Sequence, residues 1–200
     1  MTDAAWNHIA LCCRTGADET VPRRGAARAC EQKLDGHRTI VCRPSVRPAG
    51  RAGAAPVPAR LPGPGPRWPD LLSSAEAQLP ADLVPDAELV AWNAGAGHLP
   101  FEALQRRAAT RARGAPALAA RWPAFFVAFD VLQLDGEELL DRPYAERRAR
   151  LEVLFAEPGW TAPWTLVPMT TDLAKAREWL QSWTDVSGVE GLVVKGMSTR

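Results

Sequence analysis

Lysine is scarce in this 200-residue chain: three of its 24 basic residues are lysine and the rest are arginine. With abundant alanine, proline and glycine, that bias points to a G+C-rich gene and makes each lysine conspicuous. Cysteine is also sparse. Cys12, Cys13, Cys30 and Cys42 form no C-x-x-C pair and have no paired histidines at ligand spacing, so neither a zinc site nor a disulfide framework is supported. Reduced thiols in a cytoplasm are the expectation. No uncharged run is long enough to span a bilayer, and the chain does not open on a basic segment followed by an apolar stretch, so membrane and secreted classes are not expected. Charge of one sign is lacking too: a net charge of +1 is no global signature of nucleic-acid binding, although it leaves room for one basic face. What remains, 46% hydrophobic and 24% charged residues, is the make-up of a soluble domain with a real core, with or without an appendage.

Of the three lysines, Lys175 lies on a predicted helix as a solvated charge, whereas Lys33 and Lys195 sit in patterned segments. The densest pattern is Glu31-Gln32-Lys33-Leu34-Asp35-Gly36-His37-Arg38. A lysine amine is protonated at its ordinary pKa and becomes a nucleophile only when desolvation or a nearby cation helps to release its proton. Arg38 and a bound metal could both serve. Gly36 lets the backbone turn or approach a ligand closely, and Arg38 can reach an anion held there. A charged surface turn is the plain alternative for Lys-x-Asp-Gly alone. With Arg38 also specified, chance occurrence in a chain of this length falls to about one in a thousand.

Glu-x-Lys-x-Asp-Gly-x-Arg resembles the first motif of the covalent nucleotidyltransferases, which comprise ATP-dependent DNA ligases, RNA ligases and mRNA capping enzymes. The resemblance casts Lys33 as the residue that attacks the α-phosphate of a nucleotide and carries it as a lysyl-nucleotide.

Taken in order, residues 1–29 show no clear period and are expected to be an irregular N-terminal extension, with a basic DNA-touching arm as the other reading. Thr39-Ile40-Val41-Cys42 has strand character. From Cys42 to Arg67 there are seven prolines, four glycines and five arginines but no acid, which no helix or strand sustains. The region 43–67 is either a Pro/Arg-rich insertion able to touch a DNA backbone or the product of a shifted reading frame, and the abrupt return of order at Trp68 suits the latter. The serine-arginine-x-glycine sequence that the family carries in this interval is missing. Residues 69–79 read as an amphipathic helix closed by Pro80, and 84–92 as a strand that sets Asp86 and Glu88 on one face. That strand resembles the family's Asp-Gly-Glu motif, with Ala87 in place of glycine, a source of strain if the position needs a positive φ. A helix is expected from Phe101 to Arg113, with Arg106 and Arg107 solvated. Phe126-Val127-Ala128-Phe129-Asp130-Val131-Leu132 lies in the most hydrophobic run, a buried strand, and resembles the family's Phe-x-x-Phe-Asp-x-Leu hallmark. The run from Asp141 to Arg148 opens a helix to Ala156 that is expected to serve packing alone. Residues 165–168 read as a strand, and a further helix starts at Thr170 or Thr171 and places Leu173, Ala176, Leu180 and Trp183 inward. The eight tryptophans show no pairing in the sequence. Glu190-Gly191-Leu192-Val193-Val194-Lys195 resembles the family's metal-binding motif.

Four motifs in order across 31–196 imply an α+β nucleotidyltransferase (ATP-grasp-like) adenylation domain over residues 30–200, with antiparallel sheets flanked by helices around an ATP cleft. By resemblance, Lys33 attacks ATP with magnesium present, Glu190 holds metal, Glu88 serves the ribose or metal, Arg38 the ribose and phosphates, Phe129 stacks on adenine, Glu31 meets the base edge and Lys195 the phosphate. The implied enzyme is a cytoplasmic, monomeric ATP-dependent DNA ligase acting on nicked double-stranded DNA. The paired lysines of the family's final motif and its C-terminal OB-fold are not found in the sequence, so a truncated form is expected. An RNA ligase or capping-type enzyme, and a non-catalytic remnant that binds nucleotide or DNA weakly, are the alternatives.

Overall fold

The computed structural model describes residues 27–43, 67–95, 97–157, 159–183 and 188–200. Most of the expected extension and of the Pro/Arg-rich region lies outside the described residues. Within them, β1 (Arg28–Leu34) is flanked on both sides by antiparallel partners, β8 (Val189–Gly196) and the short β7 (Met169–Thr170), in a three-stranded sheet. A second sheet has the order β2 (His37–Ile40), β3 (Val84–Ala91), β4 (Ala124–Leu134) and β5 (Glu137–Glu138), with β6 (Trp164–Leu166) parallel to β4. β1 and β2 are nearly contiguous in sequence but lie in different sheets. The Asp35-Gly36 turn therefore carries the chain from one sheet to the other, and Lys33 and Arg38 fall on opposite sides of that crossing.

β4 is the central strand: Phe126 and Ala128 alternate into the core, and past the bulge opposite Asp86 and Ala87 the parity changes so that Val131 is fully buried as well. Against them packs α1 (Pro69–Gln78), which has proline in its first turn and buries Leu71 and Ala75, with Leu79 buried just past its end. Each such leucine contributes roughly 2 kcal/mol by leaving water. Phe126 stacks on Trp164 with ring centroids 4.7 Å apart, Trp160 lies 5.9 Å from Trp164, and Phe155 lies 4.7 Å from Trp160. Of the eight tryptophans that look unpaired in the sequence, Trp160 and Trp164 thus join Phe126 and Phe155 in an aromatic column, and Trp179 and Trp183 form a second stacked pair on α5 (Leu173–Trp183). The β4–β5 hairpin turns at Asp135 and Gly136, both at positive φ. Ala87 has no positive φ. It sits fully buried in β3 at a bulge between Asp86 and Ala87, and the expected strain is absent.

The helix expected from Phe101 to Arg113 is interrupted. α2 (Phe101–Ala109) stops at an extended Thr110, a 3-10 turn follows at Ala112–Gly114, and α3 (Ala115–Arg121) starts with Pro116 in its first turn. Proline at that place opens a new helix instead of extending the old one. Arg107 is not solvated: it is 1% exposed, donates to the Trp122 carbonyl at 2.9 Å and to Asp70 at 2.6 Å, and lies over the Trp68 ring. Its flat guanidinium can be buried because a carboxylate, a carbonyl and an aromatic face each take part of it. The expected strand 165–168 is two strands, β6 and β7, parted at Pro168, which cannot donate to a ladder. α5 is capped by neither threonine: the Asp172 carboxylate accepts from the Ala174 amide at 2.8 Å, while Thr170 Oγ1 accepts from the Asp172 amide at 3.1 Å. Lys175 is exposed beside Glu178, as expected of a solvated charge. α4 (Tyr144–Ala156) packs on β4. Among the described residues, no helix is long and apolar enough to cross a membrane.

Candidate active site

A cleft of about 570 Å³ opens where the two sheets meet, and all seven residues singled out in the sequence, Glu31, Lys33, Arg38, Glu88, Phe129, Glu190 and Lys195, line it. Lys33 stands near the end of β1, opposite Gly191 in β8, and the register breaks immediately afterwards. That register places the Glu190 carboxylate in contact with the Lys33 amine. Gly191 adopts φ 141°, a conformation that favours glycine, so the backbone at this point could not easily be built from another residue. Gly36 is required for a different reason. A Cβ there would lie 2.5 Å from the Leu89 carbonyl oxygen and 2.9 Å from Glu88 Cγ, so the turn is pressed against β3 at the side chain that forms the cleft wall.

Arg38 reaches from β2 to Asp86 in β3 through Nε at 3.1 Å and Nη2 at 2.6 Å, a fork on a carboxylate that raises the arginine pKa. Burial pushes the Asp86 carboxyl above its usual range, and the Arg38 pairing opposes that rise. Glu88, two residues on, is pushed up to about 7, chiefly by burial and then by the Asp86 charge, with Arg38 and Lys33 acting the other way. Phe129 offers its ring to the cleft, with the Arg38 guanidinium 5.9 Å and the Lys195 amine 4.8 Å from its centroid. Val127 and Val167 supply an apolar wall beside it.

Glu31 is 2% exposed and has three donors around it. Lys195 Nζ lies 2.5 Å from one carboxylate oxygen, while the Tyr144 hydroxyl donates to the other and Arg148 Nη1 stands 3.4 Å from it. Burial, then the Glu31 charge, drives the Tyr144 hydroxyl far above its usual pKa, so it remains a donor. Next to Arg148, Arg147 forks onto Asp130 at 2.9 and 2.8 Å, directly behind Phe129. Sequence reasoning leaves Tyr144, Arg147 and Arg148 as packing residues. The available signal is that the only tyrosine and an arginine share the inward face of α4 at i and i+4, where two polar groups need a buried partner.

No group of three or more His, Cys, Asp or Glu side chains suited to a metal occurs among the described residues. Magnesium does not need one, since it is commonly held by one or two carboxylates together with substrate phosphates. Glu190 and Glu88 both line the cleft, and a cation there would offset the burial and the Asp86 charge that push the Glu88 carboxyl up, so this pair of carboxyls fits such an ion.

A family model described as an ATP-dependent DNA ligase domain matches residues 9–200. The chain is 39% identical over 128 residues to DNA ligase C2 of Mycolicibacterium smegmatis, a match covering 64% of this chain and 35% of that protein. It is 30% identical over 190 residues to DNA ligase 1 of Methanosarcina mazei, covering 91% and 31%. The ligase domain of M. tuberculosis LigD superposes with a TM-score of 0.54 at 26% identity, over 86% of this chain and 50% of that one. A mycobacterial DNA ligase D complexed with ATP and MES shares the fold, with a TM-score of 0.57 at 24% identity over 88% and 53%. The chain spans about a third of the length of the first two curated relatives, 35% and 36%.

Proposed function

The chain belongs to the family of ATP-dependent DNA ligase domains, and on that premise we propose that it performs the nucleotide-loading step of DNA strand joining, with Lys33 as the residue that takes up AMP. The observation that carries this reading is the meeting of the Lys33 amine, the Glu190 carboxylate and the Phe129 ring in one cleft at the junction of the two sheets. The Lys33 ammonium first loses a proton, which the half-exposed Glu190 carboxylate in contact with it passes on to water, leaving that carboxylate ionised. The Nζ lone pair then forms a bond to the α-phosphorus of ATP as the bond from that phosphorus to the bridging oxygen breaks, and pyrophosphate leaves with the electron pair. Phe129 gives the purine a flat apolar face, which accepts base stacking without sequence demands. Arg38, held by Asp86, is aimed at the ribose and phosphates. Glu31 serves the base edge and Lys195 the phosphate side. Magnesium, held by Glu190 and Glu88, would neutralise charge on the phosphates. The acceptor of the AMP is then a nicked double-stranded DNA, and the protein works as a cytoplasmic monomer.

Incubation with α-labelled ATP and magnesium, followed by nick sealing on matched DNA and RNA duplexes, tests this. Covalent label that is lost in Lys33→Ala, with sealing on DNA, supports the reading. Absence of label marks a non-catalytic binder, and sealing of RNA alone marks an RNA ligase.

A further inference from the structure

α4 joins the two walls of the cleft through adjacent residues. Arg147 grips Asp130, next to Phe129 on the five-stranded sheet, and donates to the Arg142 carbonyl at 2.6 Å. Arg148 and Tyr144 grip Glu31 on the three-stranded sheet, and Arg148 also donates to the Val167 carbonyl at 3.0 Å and to Glu152 at 2.7 Å. The first turn of the same helix takes hold of the segment just after β8, since the amides of Tyr144 and Ala145 donate to the carbonyls of Thr199 and Met197 at 2.7 and 3.0 Å. Arg148 is thus held at several points and cannot follow Glu31 if the strand shifts, so it defines where that carboxylate sits.

Lys195 depends on the result. Its ammonium is 2.5 Å from Glu31, 3.3 Å from the Phe129 carbonyl, and 4.8 Å from the centroids of both the Phe129 and Tyr144 rings. Its side chain is 9% exposed, so its position is set by these groups rather than by water. Glu31 is the link: three donors converge on one buried carboxylate, two of them fixed on α4 and the third lining the cleft.

We propose that Tyr144 and Arg148 are positioning residues which, by locking the Glu31 carboxylate from α4, fix the Lys195 ammonium against the Phe129 ring in the nucleotide cleft, with Arg147 holding the opposite wall through Asp130. The role assigned to the cleft rests on the function proposed above. The place of Lys195 does not, and it can be read separately.

The scarcity of lysine supplies the readout. Protein labelled with 13Cε-lysine shows one signal for each of Lys33, Lys175 and Lys195, and Lys195, flanked by two rings, carries their ring-current shift. Tyr144→Phe removes only the hydroxyl and keeps both rings. Arg148→Met removes the charge and keeps much of the apolar volume. In both variants the Lys195 signal is expected to move while that of Lys175 stays in place, and affinity for ATP, measured by titration in Lys33→Ala backgrounds, is expected to weaken about tenfold. A merely structural role would lower the melting temperature and leave the Lys195 signal and the ATP affinity of the folded protein unchanged, and that result overturns the proposal. So does a loss of ATP affinity with the Lys195 signal unmoved. Should Arg148→Met fail to fold, the Tyr144→Phe variant decides by the same two measurements. Failure of the parent chain to bind ATP would overturn the function proposed above, while the lysine signals would still report whether α4 positions Lys195.

Discussion

Lys33 and Glu190 are in contact because β1 and β8 run antiparallel with Lys33 opposite Gly191 and lose register at the next residue. The ammonium is mostly enclosed, whereas the carboxylate remains 44% exposed. Glu190 can therefore be replaced without opening the core.

Glu190→Ala should lower the melting temperature modestly, because the carboxylate itself is half-exposed and water can take its place, while the mostly enclosed Lys33 ammonium loses its partner. It should slow the covalent labelling of Lys33 by on the order of a hundredfold, the usual cost of losing a positioned proton acceptor. Initial rates of label uptake at saturating ATP and magnesium provide the check.

Glu88 couples the fold to pH. Its carboxyl titrates at about 7 in the folded protein and in the ordinary glutamate range when unfolded, so the folded state holds the proton more tightly. Stability attributable to this group is present at low pH and is lost as pH rises from the ordinary range through about 7. Glu88→Gln removes the penalty. In denaturant titrations without divalent metal, the variant should gain up to about 3 kcal/mol over the parent near pH 8, with the difference vanishing towards pH 4.

Gly36→Ala should cost about 1–3 kcal/mol, because the new methyl meets a strand carbonyl that cannot move without disturbing the β2–β3 ladder. The same methyl presses on Glu88, so ATP affinity should fall together with stability. Paired unfolding and ATP titrations on this variant would show both changes.

That the seven residues singled out line one cleft was legible in the sequence because they come largely in short, chemically specific clusters: Lys33 to Arg38 span one turn, and Glu190 to Lys195 one strand. The sheet segments were legible for a similar reason, as Val84–Ala91 and Ala124–Leu134 carry β-branched and aromatic residues with few breakers. Tyr144, Arg147 and Arg148 were not, because their partners Glu31 and Asp130 lie 113, 17 and 117 residues away in sequence, and nothing local marks an arginine as buried. Arg107 escaped in the same way: its helix reads as amphipathic with a charged face, and only the tertiary placement of Asp70, Trp68 and the Trp122 carbonyl makes burial of that charge tolerable. The break between α2 and α3 was missed because alanine-rich sequence keeps a helical pattern through Thr110, where the backbone becomes extended.

The central claim is that Lys33 becomes covalently loaded with AMP. Intact-protein mass spectrometry after incubation with ATP and magnesium, followed by peptide mapping, addresses it directly. The account predicts a single adenylate adduct on the peptide that contains Lys33, removed by pyrophosphate and absent from Lys33→Ala. An adduct on Lys175 or Lys195, or no adduct on a folded chain that binds ATP, would contradict it.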